Sequence, residues 1–443
     1  MRYLFGSYFD LDEPLRRWQE LYTRGNPMLN PGDMVYAAGV MDVLRARGED
    51  EFIPTGYVSY NGGLPMSLDE INETCAACVL PFADHFRDDK TALLNRYARL
   101  IRKLDIPVVV PCIGVRDGET SPKTDAAVKR FVSAVLDKSA LVGLRGETTA
   151  RYLEKLGFVR ERHFRVVGCP SLYGAGPDLA VPAWPEKPGC CAFGLNVRAG
   201  KTVNRFLFDS ARTIPSRFCI SQNWFEFVNY FLAPFARRDE THRTPWFREM
   251  VVSALRDGSY RYFYNLNSWT RCLRACDCSV SCRIHGTILA LRCGVPAAIV
   301  PFESRTRELA EFHAIPVIRP KEIAPGDTIA KFQNRFDFET MRKRHRENFA
   351  AFADFLRRNG LRTAFDDGGD PRTGPAGDIL EEDVPCERMQ PLHAVSPFVG
   401  VARAIRLFAL VRSRKLRRRR PIGVPVARKN PEAQVSASRI LRL

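Results

Sequence analysis

The chain has 443 residues, 45% of them hydrophobic and 11% aromatic, and a formal net charge of +17. Such a length holds two cores at roughly 100–200 residues per domain, and the composition is that of a globular protein, not of a fibre or a disordered chain. No apolar run approaches the roughly 20 residues that span a bilayer, and Met1-Arg2-Tyr3-Leu4-Phe5 meets acids by Asp10 without the apolar core of a signal peptide, so a cytoplasmic location is expected.

In chain order, a turn over Asn30-Pro31-Gly32-Asp33 precedes a predicted helix over 35–47. Helices are predicted over 69–79 and 93–104, then a buried strand over 106–112, a helix over 125–136 and a strand over 140–143. Another helix, 148–156, opens just after Arg145, and Val166-Val167 closes this half. The Pro- and Gly-rich stretch 174–188 reads as a linker. The second half restarts with a strand over 191–196. The string from Gly194 to Thr202 suggests a phosphate loop but has five residues between its glycines instead of four, and no helical face is legible after it. Nucleoside triphosphate binding is therefore not expected there.

The most informative segment follows a predicted helix over 266–276. An apolar strand over 278–282 leads into the turn Arg283-Ile284-His285-Gly286, and a helix runs over 287–293. Gly294 stops that helix, Pro296 follows, and a second apolar strand covers 297–300. This is one strand–helix–strand unit of a parallel sheet, whose turn lies at the carboxyl edge where open α/β sheets bind ligands. A helix start there attracts anions. Arg283, His285 and Arg305 thus describe a pocket for an anionic substrate beside a titratable group. A long polar helix over 338–357 is placed to return to the first half, and 366–385 turns to Gly, Asp and Pro, a spacer composition.

Strands alternating with helices predict an α/β fold: two doubly wound, Rossmann-like domains facing across a cleft, with a basic C-terminal tail. The expected boundaries are 1–173 and 189–335 for the domains, 336–360 for the returning helix, 361–395 for a flexible spacer and 396–443 for the tail. Thirteen cysteines are too many for accident in a small secreted chain, but here they read as core-filling residues. Cys75 and Cys78 have no second pair at zinc-knuckle spacing, and Cys272, Cys276, Cys278 and Cys282 straddle a helix end and a strand, so no metal is expected.

Residues 403–420 hold nine Arg and Lys and no acid, which leaves +8 for the remainder (17 less 9). Phe398, Val399, Ile405, Leu407 and Phe408 interleave with Arg403 and Arg406 before the run Arg412–Arg420. An apolar face beside a polybasic run suits an anionic bilayer surface at about 1 kcal/mol per basic residue. Phosphate attraction alone would also serve nucleic acid, and a solvated tail is the plain alternative. No stacking platform or nucleic-acid module accompanies the charge, so a membrane surface contacted through 396–420 is the expectation and nucleic acid is not.

The run from Arg283 to Arg305 resembles the signature of polysaccharide pyruvyl transferases, in which Arg283, His285, Gly286, Gly294, Pro296, Glu303 and Arg305 fill the characteristic places. Asn30 to Asp33 resembles the family's early N-x-G-D, Leu144 to Thr149 its middle R-[GD]-x-x-[ST], and Gly168-Cys169-Pro170-Ser171 the motif that follows. The resemblance covers about residues 1–345. It implies the glycosyltransferase-B architecture and transfer of pyruvate from phosphoenolpyruvate to two saccharide hydroxyls as a cyclic ketal, in cell-surface or exopolysaccharide synthesis. Phosphoenolpyruvate is then a co-substrate, and no cofactor or metal is called for. The other partner is a saccharide or lipid-linked oligosaccharide, and the tail would hold the enzyme at the inner membrane face.

On that reading His285 is the catalytic acid, with Arg283 beside it, since imidazole titrates at about 6.5. Arg145, Arg283, Gly286, Thr287 and Arg305 bind the donor's carboxylate and phosphate. Arg305 stands where the family usually has lysine, so a forked guanidinium replaces a point charge. Asn30 and Asp33 either hold the acceptor's hydroxyls or form an Asx turn capping the helix after them. Glu308 either orients Arg305 or faces solvent, Glu147 either caps its helix or acts as a base, and Asp277 and Trp269 position a strand and fill the core. A nucleotide-sugar glycosyltransferase of the same fold and a silent membrane-associated glycan scaffold are the rival readings.

Overall fold

The computed structural model describes residues 1–7, 30–45, 50–55, 64–115, 120–223 and 244–366, together with Ala409. Short apolar runs in the first half become parallel strands because alternate side chains find a buried face on either side. Arg2–Phe5 (β1), Glu51–Pro54 (β2), Ala77–Pro81 (β3) and Val108–Cys112 (β4) pair in the order β2-β1-β3-β4, all parallel. Val142–Leu144 (β5) and Phe164–Val166 (β6) form a parallel pair that joins this sheet where Ile113 bridges Leu144. Tyr3, Phe5, Val79 and Val109 point into one core with Phe349, Phe352 and Leu356. Leu4, Cys78, Leu80, Val108 and Val110 point the other way, to Leu94, Tyr97, Phe131 and Val132.

The second sheet is built from Cys190–Gly194 (β7), Ser216–Ser221 (β8), Tyr260–Tyr262 (β9), Cys278–Ser281 (β10) and Ala297–Ile299 (β11) in the order β11-β10-β7-β8-β9, again all parallel. Each sheet has a point where the chain reverses its direction of winding, between β1 and β3 in the first and between β7 and β10 in the second. Ligands of such sheets bind outside the strand carboxyl ends at these points. Those ends lead into Asp84 after β3 and Arg283 after β10.

The described helices are Gly32–Leu44 (α1), Leu68–Thr74 (α2), Thr91–Ile101 (α3), Pro122–Leu136 (α4), Glu147–Lys155 (α5), Gly200–Arg212 (α6), Pro245–Arg256 (α7), Leu266–Arg274 (α8), Ile284–Arg292 (α9), Ser304–Phe312 (α10) and Phe338–Arg358 (α11). Their ends follow ordinary capping chemistry. Ser121 accepts from the Thr124 N–H before α4, which has Pro at its start, and Asp337 accepts from the Thr340 N–H before α11. Gly294, at φ 75°, ends α9 in the left-handed conformation.

Helix α1 holds the two halves together. Met34, Val35 and Ala38 pack into the core of the second sheet, whereas Tyr36, Ala37, Val40, Met41, Val43 and Leu44 pack into a core of the first. A helix apolar on every side must be covered on every side. Its Gly39 lies against the 170–175 turn so closely that a Cβ would stand 2.5 Å from Ser171 Cα. Asp42 of α1 pairs with Arg292 of α9, with only 12% and 6% of the two side chains exposed. Helix α11 packs Phe349, Phe352 and Phe355 against the first sheet.

Several elements differ from the sequence reading. Residues 69–79 are not one helix: α2 stops at Thr74, Cys75 is extended at φ −93° and ψ 134°, and β3 begins at Ala77. The apolar run there is fully buried, which a short strand and a helix share in sequence. The helix after β10 starts at Ile284, with Arg283 as its N-cap, not at Thr287. Residues 200–212 are helical with a face of Val203, Phe206, Leu207 and Ala211, so the strand–turn–helix context of the 194–202 string is present after all. Its loop is nevertheless closed on itself: the Asn204 amide donates to the Asn196 and Gly200 carbonyls and accepts from the Asn196 N–H at 2.7–3.0 Å. Strands β1, β2, β8 and β9 and helix α7 had no sequence assignment. The expected spacer from 367 on and the basic tail lie outside the described residues, apart from Ala409.

Candidate active site

The site grows from the carboxyl edges of both sheets. On the first half, the turn before α1 presents Asn30 and Asp33. Asn30 Oδ1 accepts from the Gly32 N–H at 3.0 Å and from Arg283 Nη2 at 3.4 Å, and its amide donates to Asp33 Oδ1 at 3.2 Å. The Asx turn is formed, and Asn30 also touches the arginine of the opposite half.

On the second half, β10 ends at Ser281, whose Oγ accepts the Arg283 N–H at 2.9 Å. Arg283 Nη2 also donates to the Gln222 carbonyl at 2.9 Å, beyond the end of β8. His285 lies in the first turn of α9 and is only 9% exposed. Its Nε2 is 4.0 Å from Cys169 Sγ, and its ring centroid is 5.7 Å from that of Tyr36 in α1. Gly32 lies flat on the imidazole, since a Cβ there would come within 2.9 Å of Nδ1. Three separated segments, 30–33, 168–171 and 283–286, thus meet at one histidine.

The first-turn N–H groups of α9 have no acceptors within the helix, as at any helix start. Gly286 belongs to that turn and packs on Gln222, whose Nε2 would be 2.6 Å from an added Cβ. Thr287 does not line the site: it is fully buried, and its hydroxyl donates to the Arg283 carbonyl at 3.2 Å.

Arg145 follows β5 and is 3% exposed, its stem crossing Gly114. Its Nε, Nη1 and Nη2 are all buried without a hydrogen-bond partner. A buried guanidinium left unsatisfied costs several kcal/mol, so a compensating anion is expected at this place. Arg305, near the start of α10, is differently occupied. Its Nη1 stands 2.9 Å from Asp84 Oδ2, its Nη2 pairs with Glu303, and its Nε is buried without a partner. Both terminal nitrogens are thus engaged, and Nε is the one nitrogen of the three without a partner.

These charges act on one another. Burial first, then Arg145, Arg305 and Arg283, push the His285 pKa well below its ordinary value, and only Asp84 opposes them. Burial and then Asp84 push Asp33 up to about 7, against Arg283, Arg305 and Lys90. Lys90, half-buried before α3, is lowered by burial and by Arg87, with Asp84 and Asp33 opposing. The same cluster of charges thus disfavours the protonated imidazole at His285 and the ionised carboxylate at Asp33.

Glu308 neither orients Arg305 nor faces solvent: it accepts from the Thr148 N–H at 2.5 Å and caps α5 from the other half. Glu147, in the first turn of α5, forms a bidentate pair with Arg160 at 2.6 and 2.8 Å. Asp277 accepts from the Gly189 and Cys190 N–H groups and so fixes the start of β7, and Trp269 is wholly buried. Sequence reading missed Asp84, Lys90 and Gln222. Asp84 was hidden because the helix assigned over 69–79 erased the strand whose carboxyl edge it follows. Among the described residues no group of three or more His, Cys, Asp or Glu is placed to hold a metal ion, and no helix is long and apolar enough to cross a membrane.

The family model described as polysaccharide pyruvyl transferase matches residues 30–303. No functionally curated protein matches the chain. Among solved structures the chain is similar to an uncharacterized protein from Klebsiella pneumoniae, at 13% identity over 72% of this chain and 92% of that one, with a TM-score of 0.33. It is also similar to UDP-GlcNAc 2-epimerases bound to UDP-GlcNAc. The one from Neisseria meningitidis is 10% identical over 86% of this chain and 98% of that one (TM-score 0.37), and the one from Methanocaldococcus jannaschii is 10% identical over 93% and 99% (TM-score 0.35).

Proposed function

The chain belongs to the polysaccharide pyruvyl transferase family, and we propose that it moves pyruvate from phosphoenolpyruvate onto two hydroxyls of a saccharide as a cyclic ketal. The observation that carries this reading is Arg145: a wholly buried guanidinium with three unpartnered nitrogens, close enough to His285 for its charge to depress that proton. A small dianion between them would satisfy the guanidinium and the helix start together.

In the proposed reaction His285 protonates the methylene carbon of the enol, and the neighbouring carbon becomes electrophilic. A sugar hydroxyl adds there, its proton restoring the one His285 gave; the carbon–oxygen bond to phosphate then breaks with its electron pair going to phosphate, and a second hydroxyl closes the ketal, its proton leaving with the phosphate. One donor and one diol yield one ketal and one inorganic phosphate. Burial and the three arginines disfavour the protonated imidazole, so it needs a proton before it can give one. Negative charge brought by the donor would cancel the field of Arg145, Arg283 and Arg305 and raise the His285 pKa at the moment of binding. Asn30 and Asp33 stand on the opposite wall, where acceptor hydroxyls would approach.

We read the two sheets as two Rossmann-like domains of a glycosyltransferase-B-like enzyme, supported by the strand orders and by site residues drawn from both carboxyl edges. The basic segment 396–420 would hold it beside lipid-linked glycans on an anionic membrane surface, a reading that rests on sequence pattern alone. Thermal unfolding with added phosphoenolpyruvate tests the donor. At a hundredfold excess over Kd the donor should stabilise the protein by about 2.7 kcal/mol, and UDP-sugars should not. Protection by a UDP-sugar with phosphoenolpyruvate inert would move the protein to nucleotide-sugar chemistry. His285→Ala should keep donor binding within a few-fold and abolish release of phosphate.

A further inference from the structure

Asp84, which no motif names, reaches Arg305 from the other half of the molecule. It projects from the 82–86 loop, which is fastened on both sides: the Phe82 N–H donates to the Cys112 carbonyl at 3.0 Å, the Gly114 N–H to the Ala83 carbonyl at 2.8 Å, and the Phe86 N–H to the Gly114 carbonyl at 3.1 Å. Phe82 and Phe86 are 1% and 0% exposed and anchor the loop in the core. From this rigid perch, at the winding reversal of the first sheet, the carboxylate crosses to the other half and accepts from Arg305 Nη1 at 2.9 Å, and it lies 3.3 Å from Arg87 Nη1.

Resting on the pyruvyl-transfer reading, we propose that Asp84 is a positioning residue for the reaction, clamping Arg305 across the two halves and acting as the counter-charge of His285. The geometry explains the arginine at 305. A guanidinium has separate ends: Asp84 holds Nη1, Glu303 holds Nη2, and Nε is left buried and unpartnered as a donor aimed by that clamp. Lysine also has three donors, but they radiate from one rotatable nitrogen, so two carboxylates cannot fix the direction of the third as they do on a planar guanidinium. The groups that bear on His285 are Arg145 from the end of β5, Arg283 at the start of α9, Arg305 from α10 and Asp84 from the 82–86 loop. Tyr36 of α1 and Cys169 pack against its ring. Asp84 supplies the one negative charge in that set.

The experiment compares wild type, Asp84→Asn, Asp84→Glu and Arg305→Lys for phosphate release from phosphoenolpyruvate across pH. Because His285 must be protonated to act, activity is lost as pH rises through its pKa in the complex. Removing the Asp84 charge lowers that pKa, so the alkaline limb of the kcat profile moves to lower pH in Asp84→Asn and returns toward wild type in Asp84→Glu. In the same variant kcat/KM for phosphoenolpyruvate falls by about 10- to 100-fold through the misplaced Arg305. Arg305→Lys shows the kcat/KM loss with the Asp84 charge, and so the alkaline limb, largely kept. Lower thermal stability in Asp84→Asn, with wild-type pH profile and kcat/KM, would reduce the pair to a strut between the halves and overturn the proposal. Failure of the wild type to turn over phosphoenolpyruvate is a different outcome and strikes the functional reading instead.

Discussion

Replacing Asp33 by asparagine should stabilise this protein, and by an amount that grows with pH. The carboxyl is pushed from the ordinary 3.8 up to about 7 by burial and by Asp84. A gap of about three pH units at about 1.4 kcal/mol each gives a ceiling of about 4 kcal/mol. Part of the Asp33 surface stays open to the cleft, so solvent screens a share of this. The sign follows from the proton count. Below about pH 4 both folded and unfolded chains carry the proton and no penalty exists. As pH rises from about 4 to 7 the unfolded chain releases it while the folded one retains it, so folding stability is lost; above about 7 the full penalty stands. Asparagine keeps the oxygen that accepts from the Asn30 amide and carries no charge at any pH. Urea unfolding of wild type and Asp33→Asn at pH 5 and pH 8 should show the variant's advantage widening by about 1–3 kcal/mol between the two. An advantage that stays constant, or a variant less stable at pH 8, would refute the assignment of a strained carboxyl at the mouth of α1.

Arg145→Met removes a buried cation that has no partner while filling much of its volume, so it should raise stability by about 1–3 kcal/mol and lose protection by phosphoenolpyruvate entirely; calorimetry with and without the donor reads both. Gly39→Ala drives a methyl to 2.5 Å from Ser171 Cα and 2.8 Å from the Pro170 carbonyl. Both neighbours are backbone and cannot rotate aside, so a loss of about 2–3 kcal/mol in urea unfolding is expected.

The strand–helix–strand unit around His285 was legible because its punctuation is chemical. Gly294 and Pro296 mark a stop that no helix crosses, and β10 and β11 are short, uncharged and fully buried. The start of α9 was read three residues late because Arg283 caps it through backbone geometry alone, with no Ser, Thr or Asp to announce it. The motifs named Arg145, Arg283, His285 and Arg305 but could not show their different states. Arg145 is without partners, whereas Arg305 is held by its neighbour Glu303 and by Asp84, some 220 residues away in sequence. Asp84 in turn was invisible once Cys75 to Val79 were taken for helix. Buried strand and buried helix are written in the same apolar residues, and length arbitrates poorly over five positions. Helix α6 escaped for a related reason: its opening, Gly200-Lys201-Thr202, is polar, and the apolar face emerges only from Val203 onward.

Why the family segments lie so far apart in sequence has a structural answer in α1. Its N-terminus presents Asn30, Gly32 and Asp33 to the site, its body fills both cores, and its Gly39 admits the turn that carries Cys169 to the imidazole. The same helix joins the halves through Asp42 and Arg292. A change anywhere along it is therefore felt as both folding and chemistry. The charges at its mouth are arranged against stability: a guanidinium without partners, a depressed imidazole and a carboxyl held above its ordinary range. The first two are relieved by an anion bearing two negative groups, which would instead hold Asp33 more firmly in its protonated form. Donor binding and fold stability should accordingly be coupled more tightly here than contact area alone would give, since the ligand both adds its own contacts and removes penalties the protein already carries.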